Sequence, residues 1–107
     1  MVEFGSRLQR LEREEEVCFQ ILETLFSGPK HIEAIADDIK PQVDDPPLLA
    51  KHMLIKFRNR LCGEHLIAFM PKTIMTTKQS RGWVRPYALT EKGLARLDLQ
   101  RSIRQMI

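Results

Sequence analysis

Proline and glycine leave this chain room for short elements only. Gly28-Pro29, Pro41, Pro46 and Gly63 divide the first two thirds into three segments, and in each the apolar residues recur at the three-and-four spacing of an amphipathic helix. From Ser6, a candidate cap, to Phe26 those residues are Leu8, Leu11, Cys18, Ile21, Leu22 and Leu25. Ser27-Gly28-Pro29 ends that helix with a permissive backbone followed by a residue that cannot continue it. A shorter helix is expected from Lys30 to Ile39, with Ile32, Ile35, Ala36 and Ile39 as its stripe and Pro41 as its stop. The third begins at Asp45, a good N-cap, with Pro46 at the first helical position, where a missing N–H costs nothing. It should reach Cys62, roughly 25 Å away at 1.5 Å per residue, and stop at Gly63. Ala50, Met53, Leu54, Phe57 and Leu61 form its buried stripe.

Beyond Gly63 the pattern changes. His65 to Met75 is β-branched and apolar with Pro71 inside, Trp83 to Leu89 reads as a second strand, and Thr76 to Gly82 between them is a polar turn. Thr90 then caps a last helix running towards Ile107, with Glu91 complementing its dipole and with Leu94 and Leu97 on the side that closes the core. A chain of 107 residues, 43% hydrophobic, supports one core and not two. The expected fold class is mainly α with a small antiparallel β-hairpin, a single domain over 1–107 in the order helix, helix, helix, strand, strand, helix.

Charge is divided between the halves. Residues 1–45 hold 5 Lys and Arg against 11 Asp and Glu (net −6), and residues 46–107 hold 12 against 3 (net +9). Between Glu64 and Glu91 there is no carboxylate, while Lys72, Lys78, Arg81 and Arg85 fall there. Two explanations compete: a basic half balanced by the acidic half across an internal contact, or a surface for a polyanion. The third helix favours the second. Opposite its buried stripe it carries His52, Ile55, Lys56 and Asn59, flanked by Lys51 and Arg58, with no acid among them.

Other chemistries find little support. The carboxylates of Glu12, Glu14 and Glu16 point in different directions from a solvated helix and do not make an acid/base pair. Cys62-Gly63-Glu64-His65 could offer zinc two ligands, but a structural site needs four, and Cys18, His31 and His52 show no matching pair. No glycine-rich phosphate loop is present, and nothing in the sequence pairs a His base with a Cys near an oxyanion donor. The chain is therefore expected to be no enzyme and to need no cofactor or metal. No apolar run approaches the roughly 20 residues of a membrane span. Reduced cysteines and a cytoplasmic location are expected, on the nucleoid if the source is prokaryotic.

Ser27-Gly28-Pro29 to Ile39, then Leu54 to Gly63 with Leu66-Ile67, then Tyr87-Ala88-Leu89-Thr90-Glu91-Lys92-Gly93-Leu94 together resemble the winged helix-turn-helix family of DNA-binding domains, over roughly residues 10–97. The resemblance is to transcriptional regulators in which a strand ending Tyr-x-Leu-Thr leads into a Gly-containing helix. It implies a third helix in the major groove, with Lys51, His52, Lys56, Arg58 and Asn59 facing base edges or phosphates. It also implies a hairpin wing along the backbone or minor groove, with Lys78, Arg81 and Gln79 on phosphates. Arg85 either joins them or packs beside Trp83, and strand parity leaves both open. The link Lys40 to Asp45 is longer than in a simple helix-turn-helix, and domains of this fold also bind proteins instead of DNA.

The chain ends carry a further pattern. Leu99, Ile103 and Met106 recur on a different side of the last helix from Leu97, and Phe4, Leu8 and Leu11 make a similar stripe at the start. These terminal segments, about 4–12 and 98–107, are expected to meet, between subunits in preference to within one. The expectation is thus a homodimer on double-stranded DNA, whose operator is an inverted repeat. A protein-docking module is the alternative, and RNA recognition a third possibility.

Overall fold

The computed structural model describes the backbone of residues 2–71, 73–76 and 81–106, and the side chains of 12–71 and 85–106. Helix α1 spans Val2–Phe26, α2 Ile32–Ile39, α3 Lys51–Gly63 and α4 Glu91–Gln105, with a 3-10 turn at Pro46–Leu49. Four short strands, β1 (Ile67–Phe69), β2 (Thr73–Thr76), β3 (Arg81–Val84) and β4 (Tyr87–Leu89), form an antiparallel hairpin between α3 and α4. The fold is mainly helical with a small β-hairpin wing, in the order expected.

α1 is the spine, touching α2, α3, α4 and β4. Its Cys18, Ile21, Leu22 and Leu25 are buried as the spacing predicted, and so are Val17 and Phe19, because α4 covers a second side of the helix. They meet Ile35 and Ile39 of α2, Leu54, Phe57 and Leu61 of α3, Leu66 and Ile67 leading into the wing, and Leu97 of α4. Truncating one such side chain to Ala costs about 2–5 kcal/mol. The helix begins at Val2, so Ser6 is interior and not a cap; one interior glycine, Gly5, costs only about 1 kcal/mol and does not stop propagation. Gly28 ends it at φ 137°, a conformation that favours glycine.

α2 starts two residues later than expected. The Lys30 backbone is claimed by the wing: Lys30 N–H donates to the Tyr87 carbonyl at 3.1 Å and Tyr87 N–H to the Lys30 carbonyl at 2.8 Å. Lys30 thus adds a one-residue third strand to the hairpin base.

The expected continuous helix from Pro46 to Cys62 is broken at Ala50, whose ψ of 145° is extended. Pro46 and Pro47 donate no hydrogen bonds, and Leu48 N–H and Ala50 N–H close short turns onto the carbonyls of Asp45 and Pro47. In one unbroken helix Leu48 would point about 120° away from Leu54. The break turns both into the core. Asp45 makes no side-chain cap bond and pairs instead with Arg13, 3.7 Å away.

α3 ends at Gly63, one residue beyond the expected Cys62, but the left-handed residue that closes it is His65 and not Gly63. Leu66 N–H donates to the Leu61 carbonyl and His65 N–H to that of Cys62, a Schellman closure in which His65 takes φ 61°, the place glycine ordinarily fills.

Both expected strands are interrupted, at Pro71 and at Pro86, because neither proline can donate to a ladder. The register pairs Phe69 with Tyr87 and then Thr73 with Val84, so three residues intervene on one side against two on the other. One extra residue bulges the first strand where the wing leaves the body. The polar turn is shorter than Thr76 to Gly82, since Thr76 pairs with Arg81 and Met75 with Gly82.

Thr90 caps α4 as expected, accepting from Gly93 N–H at 3.0 Å while its hydroxyl donates to the His65 carbonyl. Gly93 lies so close to Leu66 that a Cβ there would sit 1.9 Å from the Leu66 oxygen. The Thr-Glu-Lys-Gly run is therefore a docking joint between α4 and the residues entering the wing. Leu97 is fully buried, but Leu94, expected in the core, is 40% exposed, lying beside Phe26 and Pro29 in an open apolar cleft of about 370 Å³. The close contact at Gly93 sets the rotation of α4 and leaves Leu94 at its edge.

Candidate nucleic-acid interface

The outer face of α3 carries Lys51, His52, Lys56 and Asn59, all exposed, with Ile55 half-buried among them. Among the described residues, no carboxylate pairs with Lys51, Lys56 or Arg85. The first turn of α3 holds no acid, and no side chain caps it.

Arg58 behaves differently from its neighbours. It is half-buried, donates through Nη1 to the Tyr87 hydroxyl at 2.9 Å, and lies 5.6 Å from that ring's centre. Its other nitrogens, Nε and Nη2, donate to Asn59 Oδ1. Tyr87 packs on Phe69 with ring centres 4.9 Å apart, and Arg85 lies 5.1 Å over Phe69. Arg85 thus stacks on Phe69, a partner the sequence did not suggest. Asn59, Arg58, Tyr87, Phe69 and Arg85 form one continuous strut from α3 to the base of the wing, which ties Arg85 to the outer face of α3.

Phe69 and Tyr87 were missed as parts of this surface. Tyr87 stood in a recognised run, but its partner Arg58 is 29 residues away. The exposure of Phe69 (51%) could not be read once Pro71 broke the alternation. Lys78 and Gln79 lie outside the described residues, and so do the side chains of Arg81 and Trp83, although Arg81 opens β3.

Other basic residues are spent on the fold. Arg60 pairs with Glu15 and Glu64, Arg101 with Glu23 through two hydrogen bonds of 2.9 and 2.6 Å, and Arg104 with Glu16. Arg101 and Arg104 also cover the rings of Phe26 and Phe19. The Arg101 hydrogen bond holds the Glu23 carboxyl below its ordinary range. α2 presents Glu33, Asp37 and Asp38, all exposed, and Asp38 pairs with Lys30 at 3.0 Å. Cys18 and Cys62 are free thiols; burial pushes Cys18 up to about 11, which keeps it protonated at neutral pH.

At the chain ends Leu99, Ile103 and Met106 are exposed, on the side of α4 away from α1. Arg101 reaches Glu23 and Arg104 reaches Glu16, so the two helices run antiparallel and α1 continues past the end of α4. The side chains of Phe4, Leu8 and Leu11 lie outside the described residues. Among the described residues, no helix is long and apolar enough to cross a membrane. Neither a family model nor a curated protein matches the chain.

Proposed function

We propose that this chain is a winged helix-turn-helix protein that binds double-stranded DNA through α3 and the wing, acting as a transcriptional regulator by occupying an operator and not by chemistry. The observation that carries it is the outer face of α3: exposed Lys51, His52, Lys56 and Asn59, without an opposing carboxylate among the described residues, braced to Arg85 by Arg58, Tyr87 and Phe69. A major groove about 12 Å wide admits one helix. The uncapped first turn of α3 leaves backbone N–H groups for a phosphate beside Lys51 and His52. Lys78 and Arg81 would neutralise further phosphates from the wing.

The exposed stripe of Leu99, Ile103 and Met106 suits a homodimer, with Phe4, Leu8 and Leu11 of α1 as its complement, and a two-fold pair of α3 helices calls for an inverted-repeat operator. The place of action is the cytoplasm, on the nucleoid in a prokaryote. Titration of random duplex DNA at two salt concentrations tests the proposal. Affinity should fall steeply with salt; indifference to duplex DNA would overturn it and favour protein docking, for which the exposed acids of α2 speak. Sedimentation of the wild type beside Ile103→Glu tests the dimer, and a wild type monomeric at high concentration would sink it.

A further inference from the structure

The bracing of α3 has a consequence for which base it reads. Arg58 Nε and Nη2 reach Asn59 Oδ1 at 3.2 and 2.9 Å. The guanidinium has little freedom to leave, because Nη1 is bound to the Tyr87 hydroxyl. Tyr87 is only 4% exposed, is bonded on both backbone sides to Lys30, and pairs with Phe69 in the ladder. An amide oxygen accepts at two lone pairs, and two N–H donors require that the oxygen, not the nitrogen, faces Arg58. What Asn59 offers an incoming ligand is the Nδ2 amino group, a donor without an acceptor.

We infer that Asn59 selects guanine over adenine in the major groove, because Arg58, held by Tyr87, occupies its carbonyl oxygen; the inference rests on the DNA-binding function proposed above. An unencumbered Asn reads adenine by donating to N7 and accepting from the N6 amino group. Here the accepting half is taken by charge-assisted bonds, which a neutral adenine amino group cannot displace without loss. Guanine presents two acceptors, O6 and N7, and asks for donors only. The exposed neighbours Lys51 and Lys56 are donors as well. Cytosine presents a donor there and is refused on the same ground. Arg58 is then a positioning residue for recognition and Asn59 the group that touches the base.

Selection from a random duplex pool, followed by titration of duplexes that differ at one base pair, tests this with the wild type, Asn59→Ala, Arg58→Met and Tyr87→Phe, each checked for an unchanged melting temperature. The wild type should prefer guanine to adenine by about tenfold at one position, the discrimination a good base contact supplies. Asn59→Ala should flatten that position alone. Arg58→Met, and Tyr87→Phe to a lesser degree, should admit adenine there while other positions keep their preferences. A guanine-to-adenine ratio untouched by both of those variants overturns the inference and leaves DNA binding standing. So does a wild-type preference for adenine at the position that depends on Asn59, or the lack of any such position. If no duplex is bound in a salt-dependent way, the DNA-binding function itself falls, and this inference with it.

Discussion

Two parts of the molecule are rich in arginine and lysine and use them in opposite ways. Along the α1–α4 seam Arg101 and Arg104 face Glu23 and Glu16 and lie over Phe26 and Phe19. On α3 and the wing base, Lys51, Lys56 and Arg85 have no carboxylate partner among the described residues. A surplus of positive charge in a sequence half is therefore not a measure of a polyanion surface. Pairing separates cations that hold the fold from cations left for a ligand, and Arg58, bonded to a phenol and an amide, belongs to neither group.

The joint between the two parts should fail most dramatically. Gly93→Ala puts a Cβ into the Leu66 carbonyl, so α4 must move off the entry to the wing; we expect a loss of about 3 kcal/mol, at the upper end for overpacking. Thermal unfolding measures it, and a variant melting with the wild type would mean that the joint yields freely.

The contrast itself is tested by two matched substitutions. Lys56→Glu should weaken duplex binding about tenfold or more and leave the melting temperature unchanged, because no core contact is lost. Arg101→Glu should lower the melting temperature by opposing Glu23, while the folded protein keeps its affinity for DNA. Interchanged outcomes would erase the distinction.

Acid sharpens it further. Glu23 is held below its ordinary pKa of 4.5, mainly by the Arg101 hydrogen bond. A depressed carboxyl contributes stability that is fully present above that ordinary value and is lost as pH falls through the folded one. Glu23→Gln should therefore cost stability at neutral pH and converge on the wild type in acid; a gap independent of pH would remove Glu23 from the acid response.

The smallest effect lies at the end of α3, where His65 holds φ 61°. His65→Gly should relieve that strain and stabilise the protein by less than about 1 kcal/mol, with DNA affinity unchanged. A destabilised variant would show that the imidazole makes up for the backbone cost.

Local chemistry made much of this protein legible. The stripes of α1, α2 and α3, the Gly28 stop and the Thr90 cap rest on residues a few positions apart, and the hairpin on two apolar runs either side of a polar turn, which spacing and punctuation record directly. The exposed faces of Lys51, His52, Lys56 and Asn59 and of Leu99, Ile103 and Met106 followed from the same periodicity. The break at Ala50 did not, although Pro46-Pro47 hinted at it, because helix continuity there competes with the demand to bury Leu48 as well as Leu54.

The sequence by itself determined the helix-rich class with its small hairpin, the order of the main elements and the division of charge, since each depends on near neighbours or on simple counts. Only the tertiary structure decided which of the described cations meet a carboxylate, that Lys30 joins the sheet, that Gly93 must lack a side chain, and that Arg58 braces α3 against the wing. Those outcomes come from groups that meet across the fold, as Glu23 and Arg101 do over 78 residues of chain, and no local pattern encodes such a meeting.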